Sequence, residues 1–142
     1  MMKADFPKFE RALKRFAKKV ELDGATLTKR VAFELFTRIL EKTPVDTGRA
    51  RASWTIAIGA PDLRIVPEGE YDKSMATAIA KANAVLGSYG TTGQPFLIPI
   101  WIANNLPYIQ ELEHGSSQQA PKGMLALSLR EVTNNLNKLS EA

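Results

Sequence analysis

Apolar residues recur at Phe6, Phe9, Leu13, Phe16 and Val20, in steps of three and four that follow one face of a helix. Lys8, Arg11, Arg15 and Lys18 keep the same period about half a turn away, and Lys19 joins them, which predicts an amphipathic helix with a basic back. "LDGAT" interrupts this pattern, because Gly24 costs about 1 kcal/mol in a helix interior and Asp23 can cap a new start. A second stripe runs through Leu27, Val31, Leu35, Phe36, Ile39 and Leu40. The spacing fits two helices or one long helix kinked near Gly24. Either must stop before Pro44, whose ring drives Thr43 out of the helical region.

"TPVDTGRA" reads as a turn, and "ASWTIAIG" then alternates, with Trp54, Ile56 and Ile58 on one face and Ser53, Thr55 and Ala57 on the other. That is the pattern of a half-buried strand. Residues 59–71 read as a flexible loop. Asp72 is placed to cap an Ala-rich helix, "KSMATAIAKANAVLGSY", that Gly87 can end. A second flexible loop, 87–95, leads into "FLIPIWIAN", a strand whose Pro99 favours an edge or a bulge. Leu125, Leu129, Val132, Leu136 and Leu139 trace a final helix, facing a core or another copy. The predicted fold is a single α+β domain over 1–142, with a long or paired N-terminal helix and a small antiparallel sheet. Two strands alone are marginal, so helices or neighbouring subunits must cover them.

Composition narrows this picture. The 142 residues are 44% hydrophobic and 24% charged, as ordinary folded domains are. The absence of cysteine removes disulfides, thiolate metal sites and thiol nucleophiles, and fits a reducing compartment. No apolar run approaches the ~20 residues of a membrane span. The basic start lacks the apolar stretch of a secretory signal, so the expected setting is cytoplasmic. The net charge of +4 is uneven: residues 1–42 hold eleven Lys and Arg against six Asp and Glu, and the remainder is close to neutral.

Candidate chemistry gathers first at Glu111, Glu113, His114 and Ser116, an acid, a base and a hydroxyl in one short stretch. A triad draws its members from separate parts of a rigid scaffold, and no nucleophile elbow is present. One imidazole beside two carboxylates, with no second histidine, is a poor metal set. The stretch therefore reads as a polar turn. A paired-carboxylate hydrolase using Asp46 or Glu68 with Glu111 or Glu113 survives only as a formal alternative, since no spacing singles those residues out. The basic face Lys8, Arg11, Arg15, Lys18 and Lys19 could contact phosphates without sequence preference, or could simply be solvated. Arg49 and Arg51, ahead of Trp54, predict cation–π or ion-pair contacts inside the fold or between subunits.

Two stretches carry a resemblance. "EKTPVDTGRARASW" (41–54) is similar to the helix-exit motif of the tail-completion, or neck, proteins of long-tailed bacteriophages. "IANNLPYIQELEHGSSQQAPKGM" (102–124) resembles the second hallmark of that family, departing at Ala103, Ile109 and Ser116. The resemblance implies a structural virion protein at the head–tail junction, assembled in the host cytoplasm, with no catalytic residues, no metal and no cofactor. It implies a homo-oligomeric ring, a hexamer, around a channel through which genome DNA passes with weak, nonspecific contact. Implied partners are the tail terminator, the head-side stopper or connector and the tape-measure protein, with no membrane. A tail terminator or head–tail stopper is the alternative within the class, and a small sequence-nonspecific nucleic-acid-binding module the alternative outside it. The implied interaction residues are Asn104, Asn105, Pro107, Tyr108, Gly115, Gln119, Pro121 and Gly123, with Leu106 beside them as an anchor. The helix-exit motif contributes Pro44, Asp46, Gly48, Arg49, Arg51 and Trp54. The face Lys8, Arg11, Arg15, Lys18 and Lys19 would meet DNA in the lumen or an acidic partner.

Overall fold

The computed structural model describes residues 6–20, 24–45, 47–90, 98–113 and 123–141. In chain order the elements are α1 (Phe6–Lys19), α2 (Gly24–Lys42), α3 (Arg49–Ala52), β1 (Thr55–Ile58), α4 (Ala76–Leu86), β2 (Ile100–Ala103), α5 (Ile109–Glu113) and α6 (Leu125–Glu141). The strands pair antiparallel, from Thr55 opposite Ala103 to Ile58 opposite Ile100. This is the α+β arrangement that the periodicity predicts, with the N-terminal segment resolved into two helices. Among the described residues, no helix is long and apolar enough to cross a membrane.

Burial divides into two clusters that share α2. In one, Phe36, Ile39 and Leu40 of α2 meet Ile56 of β1, Ala82 and Leu86 of α4, and Leu106, Ile109 and Met124. In the other, Ala12 of α1 meets Leu27 and Val31 of α2 and Val132 and Leu136 of α6. The apolar stripe of α1 identifies Phe9, Leu13 and Phe16, which flank this contact only partly buried. Its centre is Ala12, where a small side chain lets two helices approach closely. Phe6 begins the helix outside the core at 55% exposure, and Leu139 ends the α6 stripe in solvent.

An ionic cluster adds to the α2–α6 contact. Glu131 accepts from Lys42 at 2.6 Å and Arg38 at 3.0 Å, and Arg38 also pairs with Glu34 at 3.1 Å. Burial opposes ionisation of Glu131, but the hydrogen bonds and charges of Lys42 and Arg38 outweigh it and hold its pKa below the usual 4.5. A carboxyl depressed on folding adds stability that is complete above its unfolded pKa and is lost as pH falls through the folded one. Wild-type protein should therefore lose stability more steeply than Glu131→Gln as pH drops below 4.5. Urea titrations across that range measure it, and parallel losses would remove the cluster from the acid response.

Several boundaries differ from the sequence pattern. β1 begins at Thr55, because Arg49–Ala52 close a helical turn through Ala52 N–H to Gly48 O at 2.9 Å and Ser53 N–H to Arg49 O at 3.0 Å. Ser53, expected on a solvent face, is consequently 1% exposed. Trp54 precedes the strand instead of lying in it. Asp72 does not cap α4, whose N-cap is Met75 with no side-chain bond. Its carboxylate instead accepts from Ser74 N–H and Oγ and from Thr77 Oγ1, fixing the turn before the helix. Gly87 does follow the last helical residue, but with φ −59 it is right-handed, and the left-handed position is Gly90 at φ 74.

Pro99 stands immediately before β2. Gly59 N–H donates to Pro99 O at 2.8 Å, but proline has no N–H to return, so Gly59 O would lack its ladder donor. The indole of Trp101 supplies it, Nε1 to Gly59 O at 3.0 Å. This bond holds a half-exposed aromatic ring in place over the sheet end.

Candidate interaction site at the junction of two motifs

The C-terminus of α2 leaves open carbonyls that the helix-exit motif satisfies. Thr43 Oγ1 donates to Ile39 O at 2.7 Å and accepts from the Trp54 indole at 3.0 Å. Arg51 Nε donates to Leu40 O at 3.1 Å, and its Nη1 donates to Lys73 O. Desolvation lowers the pKa of the Arg51 guanidinium from its ordinary value, with Asp72 and Glu41 opposing the shift. Arg49 Nε donates to Val66 O at 3.0 Å, and Tyr71 N–H to Thr47 O at 2.8 Å. Among the described residues, the side-chain hydrogen bonds of both arginines thus go to backbone carbonyls of the fold itself, where the sequence pattern suggests aromatic or carboxylate partners. Pro44 is buried, and Asp46 lies outside the described residues.

Gly48 shows why this position carries no side chain. Its φ is 79, and a Cβ there would lie 2.7 Å from Tyr71 O, inside contact distance. The glycine lets residues 47–49 run against the segment that returns from the 59–71 loop.

The second motif docks onto the first. Asn104 Nδ2 donates to Ala50 O at 3.0 Å, and its Oδ1 accepts from Leu106 N–H at 3.1 Å. One amide therefore joins chain segments 54 residues apart. Asn105 is exposed and donates to Leu63 O at 3.3 Å. Leu106 is buried and Pro107 exposed, while Tyr108 is half-buried. Tyr108 and Leu112 line a cavity of about 80 Å³ with Pro44, Thr47, Gly48 and Ala50. The loop between them adds Asp62, whose carboxyl is held down to about 2 by the Arg64 guanidinium and backbone N–H.

Sequence reasoning missed the role of Glu113. It is 6% exposed, and its Oε1 accepts from Met124 N–H and Leu125 N–H, both at 2.8 Å, while Oε2 accepts from Ala126 N–H at 2.9 Å. A carboxylate on the open N–H groups of a helix start satisfies orphan donors and meets the positive end of the dipole. Gly123 makes room for it with φ 88, since a Cβ would sit 2.6 Å from Glu113 O and 2.7 Å from its Oε2. A signal was present: "KGMLALS" offers no Ser, Thr, Asp or Asn before the apolar helix, so its cap had to come from elsewhere. With both oxygens bound to backbone donors, Glu113 is occupied as a cap and is not placed as an acid or base. His114, Gly115, Ser116, Gln119 and Pro121 lie outside the described residues.

The basic face stands apart from this junction. Lys8, Arg11, Arg15, Lys18 and Lys19 are all exposed on α1. Arg15 Nη1 reaches Asn137 Oδ1 at 3.2 Å and Lys19 Nζ reaches Ser140 O at 3.4 Å, so these two lean onto α6. Glu68 and Glu111 are exposed, and among the described residues no group of three or more His, Asp or Glu is arranged to hold a metal.

Among the described residues the junction is therefore a frame whose side chains bond to carbonyls and N–H groups of the fold itself. No curated protein and no solved structure matches the chain. Residues 7–115, which include the helix-exit motif, both strands and the first part of the second motif, match the HK97-gp10-like family, described as a bacteriophage tail component. The chain therefore belongs to the HK97-gp10-like family of bacteriophage tail components.

Proposed function

We propose that this tail component completes the tail and joins it to the DNA-filled head, as a hexameric ring of identical subunits around the DNA channel. The observation that carries this reading is the motif junction. Its residues brace the ends of α2, the 59–71 loop and α6 against one another, while Asn105, Pro107 and Glu111 remain at the surface. A rigid frame with surface loops suits heterologous contacts that repeat around an axis and close. The tail terminator, the head-side stopper or connector and the end of the tape-measure protein are the neighbours in this reading. Tyr108 serves as an anchor, and the stretch 113–123 as the contact.

The exposed cations of α1 support a secondary role for that face, against DNA in the lumen or an acidic neighbouring ring. Weak, sequence-blind contact is expected, because each neutralised phosphate adds to the salt dependence of binding. A tail terminator or stopper ring is the closest competing assignment, and a free-standing nucleic-acid-binding module the more distant one.

Depleting the chain during infection tests the proposal. DNA-filled heads and headless tails should accumulate separately by negative-stain microscopy, and purified tails should carry the chain as a ring by native mass measurement. Normally joined particles without the chain would overturn the joining role. Filter binding of duplex DNA by wild type and an Arg11→Glu/Lys18→Glu variant separates the module reading. Tight binding that the variant abolishes, together with normal head–tail joining, would favour the module.

A further inference from the structure

A groove of about 350 Å³ opens beside β1, between α4 and the 59–74 segment. Phe36, Trp54, Ile56 and Val85 give it an apolar floor, and no residue of β2 lines it. It therefore lies along the edge of β1 that faces away from its partner strand.

The ladder fixes which backbone groups meet this edge. Gly59 N–H donates to Pro99 O in the same register that pairs Ala57 with Trp101 and Thr55 with Ala103. In an antiparallel ladder, hydrogen-bonded and non-hydrogen-bonded pairs alternate. Ile56 is thus a non-hydrogen-bonded position, with its N–H and C=O directed outward on the groove side. Neither group has a partner among the described residues.

Charge on the rim is unequally spent. Asp62 is engaged by Arg64, and Asp72 by Ser74 and Thr77. Arg51 uses Nε and Nη1 on backbone carbonyls, and among the described residues neither its Nη2 nor the ammonium of Lys81 has a hydrogen bond. The depressed pKa of Arg51 agrees with a guanidinium whose lost hydration is incompletely replaced. Arg51, Arg64 and Lys81 against Asp62 and Asp72 leave the lining one positive charge in excess, with Asp72 acting on Arg51 through space.

We propose that this groove receives an extended segment of a neighbouring virion protein, pairing its backbone with Ile56, seating an apolar side chain on the Phe36–Trp54–Val85 floor and giving a carboxylate to Arg51 and Lys81. Strand addition of this kind draws affinity from main-chain bonds and specificity from alternate side chains. It supplies the third strand that a two-stranded sheet lacks. The inference rests on the tail-component reading and specifies the chemistry of one partner.

The probes are short capped peptides of alternating Thr and Leu with one Asp, and two controls in which Asp becomes Lys or Leu becomes Ser. The full chain should bind the first peptide and slow amide exchange at Ile56. Binding should weaken about tenfold with either control peptide and with Lys81→Glu, a surface change on α4. Ala84→Trp, which fills the groove from its exposed wall, should abolish binding without altering charge. Absence of binding at millimolar peptide, equal binding of the Lys control, or unchanged exchange at Ile56 would each overturn the proposal. Concentration-dependent self-association lost in Lys81→Glu would assign the groove to a second copy, and so would overturn it too. Mass spectrometry of purified tails tests the underlying tail reading independently, because wild-type protein must be present there whatever the peptides do.

Discussion

Gly123→Ala should lower the unfolding midpoint by roughly 10 °C, and Gly123→Val should leave little folded protein at 37 °C. Two costs add at this position. At φ 88 any L side chain sits in the left-handed region, which costs about 1–2 kcal/mol. The new Cβ would also lie 2.6 Å from Glu113 O and 2.7 Å from Glu113 Oε2, so the cap must move off the start of α6. Together these predict a loss of roughly 3 kcal/mol, measured by calorimetry or circular dichroism. A shift smaller than about 2 °C would mean that the segment relaxes freely and that the cap is not fixed as described. Gly123 belongs to the motif proposed to contact neighbouring rings, so joining must be assayed below the variant's own unfolding temperature. A defect that persists there reports a contact; one that disappears reports stability.

Glu113→Ala is expected to cost about 3 kcal/mol, and Glu113→Gln about half as much. Alanine removes three hydrogen bonds at once and leaves the N–H groups of Met124, Leu125 and Ala126 without acceptors, at a position where Met124 is fully buried. Glutamine keeps one oxygen as an acceptor but turns an amide NH₂ toward the remaining donors, which cannot accept it. Amide exchange at residues 124–126 should accelerate in the alanine variant before exchange elsewhere in α6 does. A double variant with Gly123→Ala should lose less than the sum of the two, because both changes act through one contact. Strict additivity would show that the glycine is needed for some reason other than room for the carboxylate.

The helices were legible in the sequence because each buries a stripe whose period is visible locally. Phe36, Ile39 and Leu40, or Leu129, Val132 and Leu136, announce themselves by spacing alone. The stop at Thr43 followed from the proline that succeeds it. Ala12 and Ala82 were not legible as core residues, since an alanine gains its place from how near two helices come. Nor was the helical turn at Arg49–Ala52, which overrode the alternating pattern that ran back through Ser53. That pattern was real only from Thr55 onward, where β2 supplies a ladder.

The candidate site divides in the same way. Its residue types and their order could be read directly, and they pointed to a phage tail family that the match over residues 7–115 bears out. The jobs of individual side chains could not be read. Arg51 and Trp54 looked suited to aromatic or charged contacts, yet they close the end of α2 through Leu40 O and Thr43. Glu113 looked like one acid of a polar turn and proved to be the cap of a helix that begins twelve positions later.

The sequence by itself determined the four longer helices, the centres of the two strands, the turn chemistry around Pro44 and Gly48, the basic face of α1 and the family. Local periodicity and steric limits are properties of short windows, so they survive without a three-dimensional frame. Only the tertiary structure decided that Asn104 holds Ala50, that Glu113 caps α6, and that the N–H and C=O of Ile56 face away from β2. Those depend on partners distant along the chain, and a carbonyl or an N–H is the same in every residue until the fold sets which ones lack a mate.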